Sequence, residues 1–133
     1  MSTVAQVVRH LLVCREVRRD PSVPGRVDLL GLIVSVRAGP TNSYPLQLPD
    51  LSVFALLTGR YGNGSMHVTV READTETLVY NGPKQTLSAS TNPLSVRMAT
   101  TRVHDCTIPR AGLYWVQLCY NDEVIAEEPL TAR

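Results

Sequence analysis

Several things are scarce in this chain, and each scarcity removes a class of protein. No stretch reaches the roughly 18 consecutive apolar residues that a membrane-spanning helix needs. Neither sign of charge dominates: thirteen basic side chains stand against twelve carboxylates, a net of +1 at pH 7. A protein that grips nucleic acid by neutralising phosphates carries a clear basic surplus, so no nucleic-acid partner is expected. Lysine is almost missing: Lys84 is the single one, against twelve arginines. That skew carries no chemistry of its own. Cysteine is limited to Cys14, Cys106 and Cys119. An odd, sparse set without a secretion signal argues for reduced thiols and a cytoplasmic setting. Residues 1–19 have no basic segment before their apolar part and no small-residue cleavage site, and Arg9 and His10 interrupt them. No signal peptide is expected there. Fixed-period repeats and low-complexity tracts are also missing, which excludes solenoids and linkers.

What remains is ordinary globular composition, with 44% hydrophobic and 19% charged residues over 133 positions. That suffices for one domain, 1–133, with a core of its own. Residues 4–16 carry both a helical and a strand pattern. Their β-branched residues favour a strand over 7–16. Two prolines and a glycine make 18–25 a connection. Residues 27–37 are apolar at nearly every position, which predicts one strand buried on both faces or paired near the domain centre, with Gly31 marking a bulge or a close backbone approach. Residues 38–49 are rich in breakers and read as a loop.

Strands are further predicted over 51–58, 65–72, 77–80 and 94–104. The 65–72 segment alternates, with Met66, Val68 and Val70 on one face and His67, Thr69 and Arg71 on the other. That pattern reads as a half-buried strand with one wet face. From Pro109 the chain gives β-branched and aromatic residues, then Asn121-Asp122, then a second apolar run, which is the chemistry of a β-hairpin. Seven or eight strands with no convincing helix make an all-β antiparallel sandwich of immunoglobulin-like character; a closed barrel is the alternative.

Three segments also carry a likeness. These are Val13-Cys14-Arg15-Glu16, Leu29-Leu30-Gly31-Leu32, and the closing Pro109-Arg110-Ala111-Gly112-Leu113-Tyr114 with Pro129-Leu130. In them the chain resembles a small uncharacterised bacterial family, a domain of unknown function with a single β-sandwich. It departs from that family at Arg15, where a carboxylate is common. Its G-x-Y ending is similar to the last hairpin of many immunoglobulin-like domains. The resemblance implies a fold and no activity, ligand or site.

The chemistry-bearing residues are few. His104-Asp105-Cys106 gathers three ligand types, and His10, Cys14, His67 and Cys119 lie elsewhere. Zinc needs about four converging N or S ligands. The chain has neither a C-x-x-C nor an H-x-x-x-H pair, so no metal or other cofactor is expected. G-x-S-x-G is absent, and the glycines at 59, 62 and 64 precede a strand where a phosphate loop requires a helix. The arginines at 15, 18, 19 and 26 are matched by Glu16, Asp20 and Asp28, as in a solvated, ion-paired loop.

Trp115 is the most informative residue. Alternation gives Tyr114, Val116, Leu118 and Tyr120 one face of the closing strand and Leu113, Trp115, Gln117 and Cys119 the other. With the first set in the core, Trp115 lies outside. Either loop 38–49 shields it or it is an exposed anchor for a partner. The expected function is a non-enzymatic protein-interaction or structural module. Its candidate partner-binding residues are Trp115, Gln117 and Tyr61, and its partner is an unidentified protein or a second copy, giving a homodimer. A small-molecule or carbohydrate site in loops 38–49 and 59–65 is the alternative, and an enzyme using His104 and Cys106 ranks last.

Overall fold

The computed structural model describes residues 7–38, 44–59, 63–89, 92 and 94–133. Among these there is no helix, and two main sheets face each other, antiparallel except where Ser35–Val36 runs parallel to the last strand. The first is ordered β2-β1-β5-β9, from β1 (Val7–Arg19), β2 (Val27–Leu32), β5 (Leu51–Thr58) and β9 (Val96–Val103). The second is ordered β3-β12-β11-β6-β7, with β8 also on β6. It comprises β3 (Ser35–Val36), β6 (Gly64–Glu72), β7 (Leu78–Asn81), β8 (Gln85–Leu87), β11 (Gly112–Tyr120) and β12 (Glu123–Ala132). A third, two-stranded pairing joins β4 (Leu46–Gln47) to β10 (Thr107–Ile108). The all-β, sandwich-like architecture is as expected, and no sheet closes into a barrel. The elements beyond the expected strands, β3, β4, β8 and β10, have only two or three residues each.

The core lies between the sheets. Leu11 and Val13 of β1 and Val53, Ala55 and Leu57 of β5 meet Met66, Val68 and Val70 of β6 and Tyr114, Val116 and Leu118 of β11, all nearly inaccessible. Each large aliphatic side chain buried this way contributes about 1.5–3 kcal/mol. Inward parity on β11 is fixed by Tyr114, which is fully buried and donates its hydroxyl to the Arg110 carbonyl at 2.6 Å. Burial pushes that phenol above its ordinary range. At the other end of β11, Asn121 and Asp122 have φ of 50° and 65°, the two left-handed positions that a tight hairpin turn requires.

Three expectations are corrected. Residues 27–37 are two strands, β2 and β3, neither buried on both faces; Leu32 and Val34 are 60% and 76% exposed. The run breaks after Leu32, at Ile33-Val34; Gly31, at φ +67°, lies inside β2 with no register shift against β1, so it marks a close approach to Arg15 and not a bulge. Arg18 and Arg19 belong to β1, not to the connection. The outer face of β6 is not wet either: His67 and Thr69 are 7% and 5% exposed. The reason is position, since β6 has β11 on one side and β7 and β8 on the other, and their side chains crowd that face.

β1 and β2 continue beyond the sheet as an arm. Gly31 stands across from Arg15, and a Cβ on it would lie 3.3 Å from the Arg15 Cβ. Arg102 donates to the Arg15 carbonyl at 3.3 Å and to Ser52 Oγ at 3.0 Å, and Arg19 donates to the Met98 carbonyl at 3.5 Å. These contacts lay the arm across the outer face of the four-stranded sheet. There Cys14, Ser52 and Phe54 are almost fully buried although alternation points them away from the core.

Tyr114→Phe removes the donor and leaves the Arg110 carbonyl without its partner. The expected cost is about 1–3 kcal/mol, read as a lower midpoint in chemical denaturation. An unchanged midpoint contradicts the role given to this bond.

Candidate functional site

The outer face of the six-stranded sheet is built by register. β11 pairs with β6 and β12 so that Trp115 stands between Arg71 and Pro129, Gln117 between Thr69 and Glu127, and Cys119 between His67 and Val124. The middle row is a continuous polar ladder. Thr69 Oγ1 donates to Gln117 Oε1 at 2.9 Å, and Gln117 Nε2 donates to Glu127 Oε2 at 3.1 Å. A buried amide with both ends bonded is held in one orientation, because leaving either end unpaired costs about 1–3 kcal/mol. Gln117 is thereby buried, as is Cys119 beside it. His67 Nδ1 is buried and has no hydrogen-bond partner among the described residues.

Trp115 is half-buried. It walls an open groove of about 360 Å³ together with Arg71, Glu76, Gln117 and Glu127, and with Glu72 and Ala73 at one end. The β6–β7 turn shapes that end. Glu76, in the left-handed region at φ 60°, accepts a bond from Arg71 Nη1 on its carbonyl at 3.1 Å. Glu72 is paired with Arg110 at 2.6 Å, its carboxylate nearly buried and the guanidinium exposed. None of the described residues of loop 38–49 lines the groove. Tyr44, in that loop, turns to the core and bonds the Arg133 carbonyl at 2.5 Å. The described part of that loop therefore does not shield Trp115.

Of the expected partner-binding residues, Trp115 and Gln117 come together on this face, with Gln117 supplying structure and Trp115 exposed surface. Tyr61 lies outside the described residues, as do 39–43 and 60–62 of the two loops weighed for a small-molecule site. His104 and Cys106 are not brought together as a catalytic pair. His104 is exposed and meets Asp50 at 2.8 Å, whereas Cys106 faces the core. Burial pushes the Cys106 thiol up to about 11 and the Cys14 thiol above its ordinary value, so neither presents a thiolate near neutral pH. Among the described residues no three of His, Cys, Asp and Glu gather as a metal site. Of the arginines at 15, 18, 19 and 26, two are ion-paired as expected, Arg18 with Glu16 and Arg26 with Asp28, while Arg19 bonds the Met98 carbonyl. Asp20 instead accepts from Ser22. Among the described residues no helix is long and apolar enough to cross a membrane.

Sequence reading missed Arg71, Glu76 and Glu127 as groove residues, and the Glu72–Arg110 pair. Each is unremarkable on its own strand or turn. Only the register between three strands puts them side by side.

Fold and face together define an antiparallel β-sandwich that carries an aromatic-bearing groove on one outer sheet surface. The chain belongs to the DUF6941 family, a family of unknown function, which matches residues 9–133. A comparison with curated proteins finds no match.

Native protein at pH 8 is expected to leave its three cysteines unreactive towards a thiol-exchange reagent, and all three react once it is unfolded. Rapid native reaction contradicts their placement. Cys106 also sets a pH dependence. Its folded value near 11 exceeds an unfolded value near 9, so above pH 9 the unfolded chain loses a proton that the folded one keeps. Stability therefore falls as pH rises from 9 to 11, measurable as a declining melting temperature that Cys106→Ala flattens.

Proposed function

We propose that this chain is a non-enzymatic interaction module, built on an immunoglobulin-like sandwich, that docks a partner on the outer face around Trp115. Strand order supports the fold reading. With the shortest strands and β2 set aside, β1-β5-β9 opposes β12-β11-β6-β7. Taken in chain order, this resembles the A-B-E against G-F-C-C′ arrangement of immunoglobulin domains, which supports the reading. Tyr114 supplies the tyrosine-corner bond at the start of the F-equivalent strand. The inter-sheet disulfide of antibody domains has no counterpart, and the sole tryptophan is on the F-equivalent strand. Three buried free thiols favour a reducing, cytoplasmic setting.

The observation that carries the functional reading is Trp115 itself. A large amphipathic ring sits half-open beside a groove whose floor is locked by the Thr69–Gln117–Glu127 ladder. Rigid, partly exposed aromatics of this kind anchor protein interfaces. The partner is another protein or a second copy of this chain.

Affinity capture from the native cells and light scattering of the purified chain, each compared with Trp115→Ala, test this reading. The variant should stay folded and lose either the captured partner or the dimer mass. A folded variant that keeps whatever the wild type binds overturns it.

A further inference from the structure

The charge around Trp115 is lopsided. Residues 64–89 and 109–132, which hold β6, β7, β8, β11 and β12, carry seven carboxylates and three basic side chains; the remainder of the chain carries five and ten. The same sign of imbalance holds inside the groove. Glu72 is neutralised by Arg110. Arg71 also lines the groove and holds the neutral Glu76 carbonyl, so it keeps its charge. Glu76 and Glu127 have no salt-bridge partner among the described residues. Glu127 accepts one bond, from the neutral Gln117 amide. The groove therefore combines one aromatic ring with two carboxylates against the single guanidinium of Arg71, a net negative charge.

Resting on the interaction reading above, we infer that this groove receives a cationic side chain, arginine or lysine, presented by a partner protein. The face of an indole attracts a cation, and a carboxylate alongside adds a charge-assisted hydrogen bond. An acidic side chain placed here meets a net negative charge, and a neutral one leaves that charge unanswered. Arginine fits best, since its planar guanidinium stacks on the ring and offers donors at its edge to Glu127 or Glu76. The same sign of charge repels a phosphate backbone.

Trp115 is the only tryptophan in the chain, so its emission reports on this groove alone. The experiment titrates the full chain with a peptide of alternating glycine and arginine, and with its twin carrying neutral citrulline in place of arginine. The arginine peptide should shift the emission saturably, bind more weakly as salt rises, and outbind the citrulline twin by about tenfold or more. The double variant Glu76→Gln, Glu127→Gln keeps the Gln117 contact available and should weaken the arginine peptide by about five- to tenfold. Equal binding of the two peptides, no binding, or an unaffected double variant overturns the inference. If the double variant still captures the native partner while Trp115→Ala does not, the cation claim fails and the interaction surface stands. If the emission changes on simple dilution without peptide, the occupant is a second copy and the assignment to a separate partner is overturned.

Discussion

The bond from the Tyr114 hydroxyl to the Arg110 carbonyl is the contact on which the rest depends. A strand has only two ways to present its side chains, and a shift of one residue exchanges them all. Fully burying Tyr114 at the start of β11 while satisfying its hydroxyl leaves one choice. Val116 and Leu118 then follow inward, and Trp115, Gln117 and Cys119 go outward. Because β11 is paired on both sides, its parity passes to β6 and β12, and so decides which residues share a face with Trp115.

A sandwich fills its inner faces and must still resolve its outer ones. This chain resolves them differently. On the four-stranded sheet the β1–β2 arm, tied down through Arg102 and Arg19, lies over the face that holds Phe54, Ser52 and Cys14. On the six-stranded sheet no strand among the described residues covers the surface. Lateral hydrogen bonds among Thr69, Gln117 and Glu127 close its middle row instead, and leave the neighbouring row open as a groove beside Trp115. Capturing apolar surface with an arm and locking polar surface with a ladder are both local solutions, and only the second leaves a concavity.

The architecture was legible where periodicity is local. β5 appears at its expected limits, and the Asn121-Asp122 turn and the facing of β11 follow directly from turn chemistry and alternation. Where burial depends on a strand's neighbours, local pattern misleads. The apolar run at 27–37 looked central but forms an arm and a short edge strand, and the polar residues His67 and Thr69 looked wet but lie in mid-sheet. Two residues of the groove were readable: Trp115 and Gln117 stand out by parity on one strand. Arg71, Glu76 and Glu127 do not, because their meeting depends on cross-strand register, which no single segment encodes.

The central claim is that β11 parity sets Trp115 outward, half-open in a groove. Acrylamide quenching of its fluorescence tests this most directly, since no other tryptophan contributes. The account predicts quenching intermediate between a core tryptophan and free indole, and nearly full quenching after unfolding. Native emission that acrylamide does not touch, as for a residue packed between the sheets, contradicts it.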